Sequence, residues 1–495
     1  MSMLVVLMWG YGTPCSLNAQ EAPAVENLEL DEWRGASLGI RIETKDGQVF
    51  VEEVHEHVAD SCPLLQDDLL VSVGGQKVTA DSLDQLGVFL ATTMPDTFVQ
   101  AEIQRDGETK SIQLPTYRRE LVDIPAIVNQ LRQNRVIRQH LNATDREEFM
   151  DKLFDRMVAA VTASESPRHA AEGINAIIDE IDVSHTALLP RQSYAQLTGG
   201  TAGDLGLTLQ RHQIDGTNRY FVIDRMPGSI GYESEIVLGD EITGVNGVSI
   251  EQSRRLILSG QEHRRRVFFL AVDVGEQVNV EYRRRQNSEA KTIMLKARDA
   301  VPAEDVVKLS SRVITSGDHQ YGYIRFWNLM SLNTSRDAQQ LFDEKFTDCD
   351  MLILDLRGRG GLIPAVLALA RVIKDSDIPV IAITDDLTRS AKEMLSQLIK
   401  QYDHVTVIGQ RTAGAVTGAT MMQLPSGNGL MFPVVSSESL KRFTGDVILE
   451  RVGVAPDIEF DFQLPWCGGN DRLLEAAIET ADKQIREFLD SIIFR

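Results

Sequence analysis

Met351-Leu352-Ile353-Leu354-Asp355-Leu356 is an apolar run interrupted by one carboxylate, and Arg357-Gly358-Arg359-Gly360-Gly361 follows it directly. A run without polar alternation is the pattern of a strand buried on both faces. Outward from it, the hydrophobic period switches repeatedly. Residues 321–326 read as a strand, 334–346 as a helix, 364–374 as a helix, 379–384 as a strand, 390–402 as a helix and 405–409 as a strand. A last helix with its own apolar stripe is expected over 470–489. The alternation predicts an α/β core with parallel strands. Such sheets place their sites beyond the carboxyl ends of the strands, which is where the glycine turn falls. That turn lacks the phosphate-loop spacing with its Lys-Ser/Thr pair, and it lacks the dinucleotide fingerprint. The N–H groups of Gly360 and Gly361 would suit a developing oxyanion instead, or the turn has no chemical role.

The whole chain has 495 residues, too many for one small core, with 43% hydrophobic and 25% charged residues. A net charge of −22 argues against nonspecific nucleic-acid binding and against an anionic membrane surface. Residues 1–19 read as a signal peptide with a weak n-region, the apolar core being Leu4 to Trp9. Export to the periplasm or the exterior is therefore expected, without a transmembrane anchor. Cys15 would leave with that segment, so Cys62, Cys349 and Cys467 permit at most one internal bridge. No ligand spacing points to a metal, and no cofactor is implied.

A weak internal repeat aligns residues 65–75 with 237–247, each a turn, a short strand and a second glycine turn. Upstream of each lies a small glycine loop, Ser37-Leu38-Gly39-Ile40 and Asp204-Leu205-Gly206-Leu207. The pattern resembles the PDZ domain over 33–116 and 203–298, the second match being the better one. The resemblance implies that the two loops hold an extended or C-terminal peptide. Between the modules, residues 119–183 read as helical and lead into Val183-Ser184-His185-Thr186, within a helical subdomain over 119–198.

Ser390 opens a helical pattern, where it would meet the positive helix end; alone it reads as an N-cap. Lys392, two residues on, should point away from it and be solvated. Tyr321-Gly322-Tyr323-Ile324, Leu354-Asp355-Leu356-Arg357 with Gly360-Gly361, Ser390-Ala391-Lys392-Glu393, Val407-Ile408-Gly409 with Thr412-Ala413-Gly414, and Gly453-Val454-Ala455-Pro456-Asp457 occur in one order. That order resembles the tail-specific, or C-terminal processing, S41 serine peptidases. The resemblance covers 119–198 and 305–480 with a PDZ inserted between.

It implies a multidomain α+β protein. The parts are an α/β peptidase core of the S41 (ClpP/crotonase-like) type over 305–462, a helical N-terminal subdomain, two PDZ-like β-rich modules and a C-terminal helix over 463–495. The processing branch pairs its serine with a lysine, and Ala415 stands at that position. The tricorn-like branch instead implies Ser390 as nucleophile, His185 as base, and Glu450 acting through Ser184. Gly360 or Gly361 and the Ala391 N–H would form the oxyanion hole. The expected function is an exported serine endopeptidase working through an acyl-enzyme on protein or peptide substrates. The alternative is an inactive peptide-binding protein acting through its PDZ modules, and an esterase or amidase would share the site.

Overall fold

A computed structural model describes residues 35–493 except 56–57, 142, 199–202, 261–266, 303, 377 and 463. The expected signal segment 1–19 lies outside the described residues. The chain divides into two compact units, 1–117 and 118–495.

In the first unit, strands β1 (Ile40–Lys45), β2 (Gln48–Val54), β3 (Leu69–Val73), β4 (Phe98–Arg105) and β5 (Glu108–Pro115) pair in chain order. Helix α1 (Leu83–Thr92) lies between β3 and β4 in the chain and contributes Leu86 to a core with Val49, Val51, Leu70 and Ile103. β1 is an end strand of this sheet.

The second unit opens with helices α2 (Arg119–Gln133), α3 (Ala143–Thr162) and α4 (Pro167–Ile178), followed by strand β6 (Ala187–Leu189). Ser166 caps α4 through the His169 N–H, and Pro167 occupies the first turn, where its missing donor costs nothing. The inserted module follows. It comprises β7 (Leu207–Ile214), β8 (Thr217–Arg225), β9 (Glu241–Val245), β10 (Leu256–Leu258), β11 (Val267–Leu270), β12 (Gln277–Arg283) and β13 (Lys291–Lys296), in the order β10-β11-β7-β8-β9-β12-β13.

The core sheet contains β14 (Arg312–Ser316), β15 (His319–Arg325), β16 (Met351–Asp355), β17 (Val380–Thr384), β18 (Val405–Gly409) and, beyond them, Ile458–Glu459. Only the β14–β15 pair is antiparallel. Helices α5 (Asn333–Glu344), α6 (Ile363–Lys374) and α7 (Ala391–Ile399) cover one face, packing on Leu352, Leu354, Ala382 and Val407. Helix α8 (Arg472–Ile493) covers the other, setting Leu473, Ala477 and Ala481 against Met351, Ile353, Ile381 and Ile383. Alternate residues of β16 thus enter two different cores, which is why its sequence shows no polar alternation. Among the described residues no helix is long and apolar enough to cross a membrane.

A hairpin of β19 (Gly418–Gln423) and β20 (Gly429–Val435) pairs through β20 with β6. Its turn is held by buried Asp123 of α2, which accepts from Ser426 N (2.9 Å), Ser426 Oγ (2.5 Å) and Asn428 Nδ2 (2.9 Å). One turn earlier on α2, Glu120 is 8 % exposed, and its Oε2 has no partner among the described residues. Burial pushes its carboxyl up from 4.5 to about 7. Between those values the folded chain keeps a proton that the unfolded chain has lost. This contribution to stability is therefore full below the lower value and disappears as pH rises through the upper one. Glu120→Gln is expected to match the wild type near pH ~4.5 and to exceed it by about 1–3 kcal/mol above pH ~8. Urea unfolding at the two pH values measures the gap; a gap that does not change with pH would refute the assignment.

Candidate active site

Strand β16 ends at Asp355, which is wholly buried. Burial alone would raise its pKa, but Arg325 and Arg357 outweigh it and hold the carboxyl well below the usual range. Arg357 Nε and Nη2 donate to Asp355, and Tyr323 Oη donates to Oδ2 at 2.8 Å. This network fixes the base of the glycine turn. Gly358 N donates to Asp385 Oδ1 (2.9 Å), which also accepts from Thr388 Oγ1 (2.7 Å). The glycine loop is in this way tied to the loop that carries Ser390.

Ser390 stands at the N-terminus of α7 with φ 57° and ψ −132°. This is a conformation that L-residues avoid, and a sharp strand-to-helix turn of this kind exposes a hydroxyl. The serine N–H donates to Ala415 O (2.8 Å) and to Glu393 Oε2 (3.1 Å). Gly360 lies against the same residue: a Cβ there would sit 2.6 Å from Ser390 Cβ and 3.1 Å from its Oγ. No side chain larger than hydrogen fits at that position. Leu329 N donates to Gly360 O, and Leu362 N donates to Leu329 O. In a parallel bridge that pattern turns the Gly361 N–H away from Leu329. Among the described residues, no backbone carbonyl outside regular helices and strands accepts from Gly360, Gly361 or Ala391.

Glu393, wholly buried, organises the other side. Its carboxylate accepts from Thr412 Oγ1 (2.6 Å), Gly414 N (2.7 Å) and Ala415 N (2.8 Å) as well as from Ser390 N. Burial pushes it up to about 7 against these four bonds, which favour the charged form. The segment it holds continues to the remaining predicted residues. Val416 N donates to Glu450 Oε2 (2.9 Å), and Thr417 Oγ1 donates to Ser184 O (2.7 Å). Residues 415–417 therefore touch Ser390 at one end and Ser184 and Glu450 at the other.

Ser184 Oγ donates to Glu450 Oε2 (2.9 Å), and Ser184 N donates to Glu450 Oε1 (2.9 Å). His185 Nδ1 lies 3.2 Å from Ser184 Oγ and 3.4 Å from Thr417 Oγ1. Both hydroxyl hydrogens are already directed elsewhere, to Glu450 and to the Ser184 carbonyl. The network thus assigns the imidazole hydrogen to Nδ1 and leaves Nε2 as the acceptor. His185 is itself held at φ 56°. The next strand is pinned by Asn175, which exchanges two hydrogen bonds with Leu188.

Lys392 corrects an expectation. It does point away from Ser390, but it is wholly buried and not solvated. Its Nζ donates to the carbonyls of Phe326, Trp327 (3.1 Å) and Arg357 (3.0 Å). Burial, reinforced by Arg325, lowers its pKa to about 7.

The glycine loops of the two modules are also less open than their sequences suggest. Gly39 N donates to Ser37 Oγ (3.1 Å), while Gly206 N donates to Asp204 Oδ1 (2.7 Å). Leu38 and Leu205 are buried, as is Leu207, whereas Ile40 is only partly covered at the start of β1. In the inserted module β11 pairs with β7 at Leu209 and Gln210, on the edge where a peptide would add. A cavity of about 710 Å³ lies between this module and the core, walled by His212, Arg359, Asp386 and Trp466 among others. Neither Ser390 nor His185 lines it.

The model of Peptidase family S41 matches residues 373–460, the stretch that carries Ser390, Glu393, Ala415, Thr417 and Glu450. The match supports an S41 family serine peptidase. The chain is thereby a serine-type peptidase. A carboxyl-terminal-processing protease of Picosynechococcus is 22% identical over 315 residues, covering 58% of this chain and 72% of the relative. A tricorn-like protease C-terminal subunit of Sulfurisphaera tokodaii is 30% identical over 158 residues, covering 28% of this chain and 18% of the relative. Among solved structures, a photosystem II D1 C-terminal processing protease matches with a TM-score of 0.43 and 19% identity, covering 72% of this chain and 99% of its own.

In this chain, Ala415 offers Ser390 a carbonyl and no amine. Thr417 lies outside the sequence motifs, and Glu393 stands in Ser390-Ala391-Lys392-Glu393 without a role that the motif assigns. The Glu three positions after an N-cap serine is a capping-box signal, and Thr417 carries no local signal. Thr417→Val keeps the shape and removes the hydroxyl that braces Ser184 and His185. It is expected to lower kcat about tenfold with KM little changed. Steady-state kinetics on a peptide substrate measures this, and unchanged kcat would remove Thr417 from the site.

Proposed function

We propose that this chain hydrolyses peptide bonds through an acyl-enzyme formed on Ser390. His185 Nε2 takes the Ser390 hydroxyl proton and returns it to the leaving amine. Ser184 accepts the Nδ1 hydrogen and passes its own to Glu450, so the carboxylate steadies the imidazolium through one intervening hydroxyl. Gly360 or Gly361 and the Ala391 N–H receive the oxyanion. The observation that carries the reading is the continuous segment 415–417, which touches Ser390 through Ala415 and the Ser184–Glu450 pair through Val416 and Thr417.

Peptide capture by the PDZ-like modules belongs to the same reading. The first module supports it better than the inserted one, because β1 is an end strand while the β7 edge is occupied by β11. Export, read from the apolar run Leu4 to Trp9, is a further part, and N-terminal sequencing of the mature protein tests it. The alternative of a catalytically inactive binding protein finds no support in the family match or in the retained residues.

A fluorophosphonate probe tests the central claim. Labelling of the purified protein, mapped by mass spectrometry to Ser390, is the expected result. Absence of labelling both with and without an added C-terminal peptide, where a control serine peptidase reacts, would overturn it.

A further inference from the structure

The mechanism above makes no use of Lys392, the largest charged side chain that is wholly buried among the described residues. Three backbone carbonyls surround its three donors, a match that suits an ammonium and leaves no hydrogen for Ser390. Those carbonyls belong to two different segments. Phe326 and Trp327 follow strand β15, and that segment runs on to Leu329, whose N–H holds Gly360 O and whose carbonyl holds the Leu362 N–H. Arg357 follows β16 and leads straight into Gly358 to Gly361. One side chain therefore fastens both supports of the Gly360-Gly361 turn, and it does so from the first turn of the helix headed by Ser390. Glu393, the next residue, grips the Ser390 N–H and the 412–415 segment. A buried cation costs desolvation that an apolar side chain of the same length would avoid, so core filling alone does not account for a lysine here.

We propose that Lys392 is a positioning residue for the oxyanion hole: through the carbonyls of Phe326, Trp327 and Arg357 it sets the distance between Ser390 and the Gly360-Gly361 donors. The inference rests on the reading of those glycines as the hole. Donors placed this way matter only when the substrate oxygen carries charge, so Lys392 acts on the transition state and not on ground-state binding.

Lys392→Met preserves length and removes every donor. Its active fraction is counted by fluorophosphonate titration, and kcat, KM and the inhibition constant of a peptide aldehyde are measured against wild type. The aldehyde's hemiacetal oxygen occupies the hole, whereas a substrate's ground-state carbonyl scarcely uses it. Per active site, kcat is expected to fall about 10²-fold, the aldehyde constant to weaken by a similar factor, and KM to stay within about threefold. Lys392→Gln, which keeps two donors on a shorter stem, should fall between. A purely structural lysine would reduce the titratable fraction and leave the aldehyde constant unchanged; that result overturns the proposal. If both variants fail to fold, Lys392 is a folding residue and the proposal is likewise overturned. Wild-type protein that neither labels nor cleaves peptide would instead sink the functional reading itself, so the two failures are distinguishable.

Discussion

Ser390→Ala is expected to cut peptide hydrolysis by about 10⁴-fold or more and to abolish fluorophosphonate labelling, and His185→Ala should do nearly the same. The two losses should not add, because proton transfer from Ser390 to His185 is a single event that either change removes. A residual rate above about one per cent of wild type in Ser390→Ala would point to another nucleophile. The backbone supplies an independent readout. Ser390 sits at φ 57° and ψ −132°, a region open to glycine and strained for any residue with a Cβ. Ser390→Gly and Ser390→Ala both lack the hydroxyl, so their difference isolates the strain. The glycine variant is expected to be the more stable by about 1–2 kcal/mol. Equal stabilities by urea unfolding would mean that the turn stores no strain. The hydrogen bonds that hold it, from Ser390 N to Ala415 O and to Glu393, would then reflect an intrinsically comfortable conformation.

Glu450→Gln should lower kcat by about 10²–10⁴-fold with little change in KM. The reason lies in donor counting. Glu450 Oε1 accepts from Ser184 N, and Oε2 accepts from both Ser184 Oγ and Val416 N. An amide has only one acceptor oxygen, so in either orientation its NH₂ faces at least one N–H or O–H donor. With the NH₂ at the Oε2 position, Ser184 turns its hydroxyl hydrogen toward His185 and forces the imidazole hydrogen onto Nε2; with it at the Oε1 position, the NH₂ meets the Ser184 N–H and the negative charge behind the imidazolium is lost. Ser184→Ala breaks the same relay one step later. The double variant should cost little more than the worse single one, since both act through one imidazole. Additive losses in that cycle would show that Glu450 and Ser184 serve separate purposes.

The α/β core was legible because its signals are local. The strand at 351–355 announces burial on both faces through its lack of alternation, and the helices at 363–374 and 391–399 follow from their period. The candidate site residues could be named from the sequence as well, and Ser184 contacts both Glu450 and His185. What composition and spacing could not supply was the surroundings of each group. Lys392 was expected in water because helical spacing turns it from Ser390, and the turn itself was right. Yet Ala391 through Ser396 are all buried, so α7 has no wet face over its first turns. The inserted module looked the better peptide binder from its turn residues. Between Ser249 and Gln277, however, it carries the antiparallel strands β10 and β11, and β11 takes the edge of β7, whereas β1 of the first module is an end strand. The sequence by itself determined the layered core and named the candidate nucleophile, base and carboxylate that the proposed mechanism uses, since periodicity and residue chemistry are written locally. Only the tertiary structure decided the partners of His185 Nδ1, the clamp of Glu393 and the burial of Lys392. Those depend on carbonyls, hydroxyls and carboxylates brought from segments up to 266 residues apart, and in a low-dielectric interior such partners decide whether a charge is tolerated and what it can do.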